Sequence, residues 1–528
     1  MDDFTLHRNL ISRVNMGDAL TRTARRLPDK EAIVDGDRRV TYAEFDASVN
    51  QFARALADRG YTRGDALAIL SGNSLEFLQV YFACAKLGVV AVPLSLVWRE
   101  RETSYVLQHS RARGLLVEAQ LLAGILPTLE LCPGVTDVIV TPGLGGDPQG
   151  RPMLAELTDG VSSSPVEVYV EDRDPLSYMY TSGTTSAPKG VVSSHLSLYM
   201  GSLTAAVEMQ ITAADRMGAM MPLFHIAQLN AFSTPTIMVG GTLVLKRGFD
   251  APGLLRLIER ERLTFIFGLP AMYREMLDHP DIATCDVSTL RRAGYAMAPI
   301  PKADLMRAME AFGCEFSLGF GQTEMVPMTT IFQPEQQLTH HSSVGTQVVN
   351  IQIEIMDDDG NLLPRGHSGE IVYRGPHALE GYLRDDEATR AAMRHGWFHS
   401  GDLGHMDPDG VLWFEDRTKD VIKTGGENVA SVEVERALYE AAPGIKEVAV
   451  IGLPHPRWVE AVTALVIPHP GITLSPDEVI AAAGSVLAAY KRPKSVIVTD
   501  DFPRTATGKI QKNQLRQMYA DHYSTESE

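Results

Sequence analysis

Between residues 30 and 140, short apolar and often β-branched runs alternate with longer stretches of helical spacing. Ala32-Ile-Val34, Ala66-Leu-Ala-Ile-Leu70 and Val138-Ile-Val140 read as strands. Thr41 precedes Tyr-Ala-Glu-Phe-Asp and then an apolar spacing through Phe52, Leu56 and Ala57, which predicts a capped amphipathic helix. Asn73-Ser74 opens a second helix over Leu75 to Leu87, and each helix is expected to cover a sheet face. This rhythm predicts an α/β fold. The Pro/Gly-rich stretch from Thr141 to Gly150 reads as a surface loop rather than a domain linker, because similar patterning resumes after it. From Val421 onward the pattern is that of a compact α+β unit, with strands at Glu447-Val-Ala-Val-Ile451 and Ala464-Leu-Val-Ile467. There is no internal repeat and no low-complexity tract.

A chain of 528 residues exceeds what one core organises comfortably, so two or more domains are expected. The formal charge of −18 argues against a nucleic-acid partner, which draws on clustered Lys and Arg, so any anionic ligand has to be met by local charge. Four widely spaced cysteines, Cys84, Cys132, Cys285 and Cys314, form no Cys-x-x-Cys pair. They point to reduced thiols and a cytosolic setting rather than a disulfide framework or a zinc site. The start, Met-Asp-Asp-Phe-Thr-Leu-His-Arg, lacks the order of a secretory signal, and no run approaches the ~18 apolar residues of a membrane span. The expectation is a cytoplasmic protein with no integral membrane segment. The acidic tail Ser524-Thr-Glu-Ser-Glu528 matches neither a peroxisomal address nor a prenylation box and is expected to be frayed.

The stretch Tyr180-Thr-Ser-Gly-Thr-Thr-Ser-Ala-Pro-Lys-Gly190 follows the apolar-leaning run Leu176-Ser-Tyr-Met-Tyr180. Glycine lets backbone approach an anion, N–H groups and hydroxyls donate to phosphate oxygens, and Lys189 supplies counter-charge. This reads as a phosphate-cradling loop. It is not a Walker loop, because Gly183 is followed by Thr-Thr-Ser-Ala and then Pro188-Lys189-Gly190. The string resembles the signature loop of the adenylate-forming superfamily, which contains acyl- and aryl-CoA synthetases, nonribosomal adenylation domains and firefly-type luciferases. Ser186 stands where that family most often has glycine.

Further motifs carry the resemblance along essentially the whole chain. Met221-Pro-Leu-Phe-His-Ile226 resembles the family's Pro-Leu-Phe-His element, which implies that His225 lines the acyl site; without the resemblance, a histidine in such apolar company is more often a core residue. Ala227-Gln-Leu-Asn230, more polar than the common glycine-containing version, then bears on substrate choice. Arg292-Ala-Gly-Tyr-Ala-Met-Ala-Pro299 resembles a strand-to-loop element whose Gly294 lets ligands approach backbone, with bulky Tyr295 and Met297 beside it. Phe316-Ser-Leu-Gly-Phe-Gly-Gln-Thr-Glu324 is similar to Gly-Tyr-Gly-x-Thr-Glu. That similarity implies Phe320 stacking on adenine next to Gly321, Thr323 donating to the α-phosphate, and Glu324 as a hard oxygen ligand for Mg²⁺. Gly396-Trp-Phe-His-Ser-Gly-Asp402 implies a ribose-binding Asp402. Glu415-Asp-Arg-Thr-Lys-Asp-Val-Ile-Lys423 implies ribose contact by Arg417 and a hinge at Lys419, hence domains 1–418 and 419–528. Gly425-Gly426 are expected to border a CoA tunnel, and Pro503-Arg-Thr-Ala-Thr-Gly-Lys-Ile510 resembles the terminal catalytic loop, with Lys509 as its lysine. Tyr490-Lys-Arg-Pro-Lys494 reads equally as a contact for CoA phosphates or as exposed basic surface.

The resemblance implies a large N-terminal α/β domain of several subdomains hinged to a small α+β C-terminal lid. It implies an AMP-forming acyl-CoA synthetase that uses ATP, Mg²⁺ and CoA. The expected catalytic residues are Thr185, His225, Thr323, Glu324 and Lys509. The expected nucleotide and CoA contacts are Thr181, Ser182, Gly183, Thr184, Thr185, Lys189, Gly294, Phe320, Gly321, Thr323, Asp402, Arg417, Lys419, Gly425 and Gly426. Two alternatives stand beside it: an adenylating enzyme that loads a carrier protein in trans, and a non-catalytic nucleotide-binding sensor. No carrier domain is expected after Lys509, which argues against loading in cis and leaves loading in trans open, and a sensor would be expected to lose Lys509, Glu324 or Asp402, all of which are present. The expected partners are a carboxylic acid and CoA, with a homodimer as the assembly. His225-Ile-Ala-Gln228 with Gly425-Gly-Glu-Asn-Val429 and Ser431-Val-Glu433 also resembles the carnitine/crotonobetaine-CoA ligase branch, although broader fatty-acyl ligases share the latter elements. If the Gln228 and Asn230 amides face the acyl site, the expected acid is short or medium in length and carries a polar group; the equal alternative is that both amides point away from the substrate and bond backbone.

Overall fold

Thr41 caps the helix Tyr42–Asp58 as its spacing predicts: the Glu44 N–H donates to Thr41 Oγ1 at 3.2 Å, and Glu44 Oε2 accepts the Thr41 N–H at 2.8 Å. Ser74 caps the helix Leu75–Leu87 by accepting the Phe77 N–H at 3.1 Å, and Gly88 closes it with a left-handed φ of 74°. The second helix differs from the expectation of one covered face, because every residue from Glu76 to Leu87 is buried. It packs on strands of two different sheets, Val90–Pro93 and Glu31–Asp35, and so covers both. Burial even takes in Lys86, whose ammonium donates to Asp46 Oδ1 at 2.5 Å and Asn50 Oδ1 at 2.6 Å; a buried charge persists only when paired in this way.

The computed structural model describes residues 2–181, 188–297, 300–505 and 508–524. The expected phosphate-loop residues Ser182 to Thr185 and the tail beyond Ser524 lie outside the described residues. Packing divides the chain into two units, Met1–Gln352 with Arg374–Arg394, and Ile353–Tyr373 with His395–Glu528. Packing alone does not locate a pivot, and the one expected at Lys419 lies within the second unit.

The first unit holds two large sheets. A nine-stranded sheet runs in spatial order Thr346–Gln347, Met328–Phe332, Glu315–Gly321, Arg292–Tyr295, Phe265–Gly268, Arg216–Ala219, Thr242–Leu245, Glu31–Asp35 and Arg38–Thr41. Its interior pairings are parallel and its edges antiparallel. A seven-stranded sheet is built around Ala66–Leu70, Val90–Pro93, Ala112–Glu118 and Asp137–Thr141, which pair in parallel. At its other side Pro175–Thr181 folds back antiparallel onto Lys189–Ser194, and the short strand Gly381–Tyr382 adds beyond that. The early strands read correctly, but Glu31–Asp35 belongs to a different sheet from Ala66–Leu70 because it pairs with Thr242–Leu245.

In the second unit Gly369–Arg374, Trp397–Met406 and Leu412–Arg417 form one antiparallel sheet with Gln352–Met356 at its edge. A second sheet contains the long antiparallel pair Ile445–His455 and Val459–Pro468, with Ser495–Val498 added in parallel. The helices Ser431–Ala441 and Pro476–Val486 bury Val434, Leu438, Val479 and Ala483 on one face of it. On the other face Leu515, Phe502 and Tyr523 cover Ile451, Leu453 and Leu465.

Candidate active site

Arg216–Ala219, Phe265–Gly268, Arg292–Tyr295 and Glu315–Gly321 are neighbouring parallel strands. Loops at the carboxyl ends of such strands are where α/β sheets build ligand sites. Three of the expected motifs leave the sheet there, through His225, Gly294 and Phe320. His225 accepts the Ala227 N–H on Nδ1 at 3.3 Å, which puts its proton on Nε2. Burial pushes its imidazolium down to about 4, so the ring is neutral at pH 7. A Cβ on Gly294 would lie 3.3 Å from the Phe232 ring and 3.4 Å from the Phe265 ring, so the close backbone approach here is to protein side chains.

The residues after His225 form a π-helical turn, Ala227–Ser233, a form found frequently at functional sites. Gln228 and Asn230 are fully buried within it. The Gln228 amide bonds Ser233 Oγ at 3.1 Å and the Asn230 amide bonds Tyr81 Oη at 3.1 Å. The far oxygen of each, Gln228 Oε1 and Asn230 Oδ1, has no partner among the described residues. Tyr295 commits its hydroxyl to Gln337 Oε1 at 2.7 Å, while Met297 stands half-exposed with a left-handed φ of 75°.

Thr181 ends its strand directly opposite Lys189. The Lys189 ammonium sits 4.8 Å from the centre of the Tyr382 ring, and the Tyr382 hydroxyl donates to Glu324 Oε1 at 3.1 Å. Thr323 and Glu324 open a short 3₁₀ turn, Thr323–Met325, after a register shift at Phe320/Gly321. Gly321 has φ 153°, and a Cβ there would lie 2.9 Å from the Thr329 nitrogen and closer still to the Pro327 carbonyl oxygen. Val326, fully buried, closes the turn at φ 50°, an unusual conformation for a β-branched residue. Strain of this kind clusters at ligand clamps.

Glu324 presents one hard carboxylate, already oriented by a phenol. Among the described residues no group of three or more His, Cys, Asp or Glu could hold a metal by itself. This donor set fits Mg²⁺, which is ordinarily bound by one or two carboxylates together with substrate phosphates.

In the second unit, motifs separated by about a hundred residues share one electrostatic neighbourhood. Asp402 and Arg417 face each other across antiparallel strands, with Arg417 Nε 2.9 Å from Asp402 Oδ1. That contact lacks hydrogen-bond alignment, so the buried Oδ1 keeps its acceptor capacity. Burial raises the Asp402 carboxyl, opposed by Arg417, Lys509 and Lys419. Lys509 keeps solvent-exposed surface, yet close surrounding protein lowers its ammonium to about 8; Arg417 and Lys419 add to the fall and Asp402 opposes it. The loop carrying Lys509 is braced by Arg504, which donates to the Gly508 carbonyl at 3.1 Å and pairs with Glu447. The Lys509 N–H in turn donates to Thr505 Oγ1 at 3.1 Å.

Gly425 and Gly426, at φ 61° and 89°, make the two-residue turn between Ile422–Thr424 and Glu427–Val429, which requires positive φ at both positions. The Gly425 N–H donates to the Trp458 carbonyl at 2.8 Å. Arg457 and Lys494 lie over the Trp458 ring, 4.5 and 5.3 Å from its centre. Within Tyr490–Lys494, Lys491 pairs with Glu433 at 2.6 Å and Arg492 Nε donates to the Leu487 carbonyl at 3.0 Å. Sequence reasoning missed Tyr382, Arg504, Trp458 and Val326. The Gly381-Tyr382 pair gives no local sign of what its ring touches, whereas Arg504 stands inside the terminal motif and was open to notice.

The chain matches a family model described as "AMP-binding enzyme" over residues 20–383 and one described as "AMP-binding enzyme C-terminal domain" over 433–509. It is 35% identical over 507 residues to a feruloyl-CoA synthase of Amycolatopsis sp, covering 96% of this chain and 99% of that protein. It is 34% identical over 510 residues to a long-chain-fatty-acid–CoA ligase of Mycobacterium tuberculosis, covering 96% and 99%. The crystal structure of ATP-bound MatB from Rhodopseudomonas palustris superimposes with a TM-score of 0.87 at 30% identity, over 96% of this chain and all of that one. With the motifs in place and both models matched, the chain belongs to the AMP-binding enzyme family, the adenylate-forming acyl-CoA synthetases.

Proposed function

We propose that the residues described above carry out one reaction in two successive halves, adenylation and then transfer to CoA. The enzyme is an ATP-dependent acyl-CoA synthetase that activates a carboxylic acid as its adenylate and passes the acyl group to CoA, releasing pyrophosphate and AMP. A carboxylate is already ionised at pH 7 and needs no general base to attack the α-phosphate. Catalysis of the first half is therefore placement and charge stabilisation. The 181–190 loop, with Lys189 at its end, cradles the phosphates, and Thr323 donates to the α-phosphate. Phe320 stacks on adenine, and the unspent acceptor of Asp402, beside Arg417, takes the ribose hydroxyls. Glu324 holds Mg²⁺, which when bound offsets phosphate charge. Lys509 neutralises charge developing as pyrophosphate leaves. Neutral His225 offers its Nε2–H near the acid without adding a cation that would trap the carboxylate.

In the second half the CoA thiol attacks the acyl carbonyl and AMP departs with the bonding pair. Rotation at Lys419 withdraws Lys509 and brings Gly425-Gly426 beside the pantetheine arm; hinge motion is a recognised way to assemble successive sites. The exposed Tyr490 and the cations Lys494 and Arg457 around Trp458 suit the phosphates of CoA.

For the acid, we assign a compact molecule carrying a hydrogen-bond donor, because Gln228 and Asn230 leave buried acceptors unpaired. The relative named feruloyl-CoA synthase takes its name from a phenolic acid, in line with this reading. Among the described residues no helix is long and apolar enough to cross a membrane, and with Cys84, Cys132, Cys285 and Cys314 all free we place the enzyme in the cytoplasm.

The observation that carries these roles is the convergence of residues from separate motifs: Lys189 and Glu324 on one tyrosine, and Asp402, Arg417, Lys419 and Lys509 in one field. The test is a panel of straight-chain, aryl and hydroxy- or betaine-type acids with ATP, Mg²⁺ and CoA. Acyl-CoA with equimolar AMP and pyrophosphate is expected. Adenylate that accumulates and never passes to CoA contradicts the acceptor.

A further inference from the structure

Tyr382 touches both charged partners of the phosphate region with one neutral side chain. The strand Gly381–Tyr382 runs antiparallel to Lys189–Ser194, with Tyr382 opposite Val191. Lys189 is two residues from Val191 and therefore on the same face, at the diagonal position that long side chains reach. This register sets the Lys189 ammonium 4.8 Å from the ring centre. From the far end of the same ring the hydroxyl donates to Glu324 Oε1 at 3.1 Å. The backbone on both sides is fixed as well. The Leu383 N–H donates to the Gly190 carbonyl at 2.8 Å, and the Leu379 N–H to the Glu324 carbonyl at 2.7 Å. The Tyr382 N–H donates to Thr389 Oγ1 at 2.9 Å, whose hydroxyl donates to the Asp385 carbonyl at 2.8 Å.

The chemistry of a phenol suits this place. Its π-face attracts an ammonium without forming an ion pair that an incoming phosphate would have to break. Its hydroxyl orients a carboxylate by donating to one of its oxygens. An acid at position 382 would neutralise Lys189 and repel Glu324, and a base would do the reverse. We propose that Tyr382 is a positioning residue for adenylation, its hydroxyl aiming the Glu324 carboxylate at a divalent cation and its ring holding the Lys189 ammonium ready for an anionic phosphate.

This inference rests on the roles given above to Glu324 and Lys189, and the experiment separates the two. Binding of Mn²⁺ in the presence of ATP is followed by the paramagnetic resonance of free Mn²⁺, and ATP binding without divalent ion by calorimetry. Tyr382→Phe keeps the ring and removes only the hydroxyl. It is expected to weaken Mn²⁺ binding about tenfold, the lower end of what outer partners of metal ligands contribute, and to leave metal-free ATP binding unchanged. Tyr382→Leu is expected to weaken both. Glu324→Gln controls the underlying assignment. If Glu324→Gln weakens Mn²⁺ binding and Tyr382→Phe matches the parent protein, the role of Tyr382 is overturned. If Glu324→Gln itself has no effect, the metal role of Glu324 falls and this inference falls with it.

Discussion

Replacing Gln228 by methionine separates a polar acid pocket from an internal hydrogen-bond defect. The Gln228 side chain is fully buried, and whichever way its amide is turned, one end meets Ser233 Oγ while the other is unpaired. A buried unpaired polar group costs about 1–3 kcal/mol, and an ordinary hydrogen bond contributes about 0.5–1.5 kcal/mol. Methionine keeps the length and removes both ends, relieving one unpaired acceptor but leaving the buried Ser233 Oγ without its partner, so the stability of the free enzyme is expected to stay within about 1 kcal/mol of the parent. An acid whose phenol or N–H satisfies the orphan in the parent enzyme loses that bond in the variant. At about 1–3 kcal/mol, kcat/KM for such an acid falls roughly 5- to 150-fold. A saturated alkyl acid of equal length loses nothing and gains, because no polar atom is desolvated against it. The assay is kcat/KM for a hydroxyaryl acid and an alkyl acid of matched length, in both proteins, together with the urea midpoint of each. If the ratio of the two kcat/KM values does not move, Gln228 does not face the acid and the polar-pocket argument is wrong, even if stability rises.

Two further outcomes follow from backbone geometry. Gly321→Ala forces a Cβ against backbone at Pro327 and Thr329 while φ is 153°, so a destabilisation of about 2–5 kcal/mol is expected, together with loss of adenylation; an unchanged urea midpoint refutes the close approach. Lys419→Pro fixes φ at the expected pivot, so pyrophosphate release in a single turnover is retained while thioester formation stops; thioester formed at the parent rate removes the hinge.

How far the sequence could be read depended on whether a feature was local. The Thr41 cap and the Ser74 start are each decided within a few residues, and each stands where its signal put it. The terminal lysine and the ribose aspartate stand out because their motifs are contiguous, yet the electrostatic field they share joins residues about a hundred positions apart, which no short window contains. The strand Glu31–Asp35 joins the larger sheet only because Thr242–Leu245, some two hundred residues on, lies beside it. The helix Leu75–Leu87 lacks a polar face for the same reason, as a second sheet covers what would otherwise meet water. The π-helical turn at Ala227–Ser233, with its two half-satisfied amides, had no periodic signature to announce it. Tyr382 was invisible because its importance comes from partners 58 and 193 positions away.

The central claim is that Lys509 supplies positive charge to adenylation and not to thioester formation. The most direct measurement follows both half-reactions separately in Lys509→Ala, with chemically supplied acyl-adenylate for the second, and repeats the first across pH in the parent enzyme. Losing one charge-assisted donor aimed at the transition state costs about 3–4 kcal/mol, so adenylation is expected to fall about 10²–10³-fold while thioester formation is spared. The Lys509 ammonium is depressed to about 8, so the charge is present below that pH and lost above it. Adenylation in the parent enzyme is therefore expected to decline on the alkaline side, through a pKa at or somewhat above 8 given the solvent-exposed part of the side chain, and the residual rate of Lys509→Ala to lack that limb. Equal losses in both half-reactions, or the same alkaline limb in Lys509→Ala, would contradict the account.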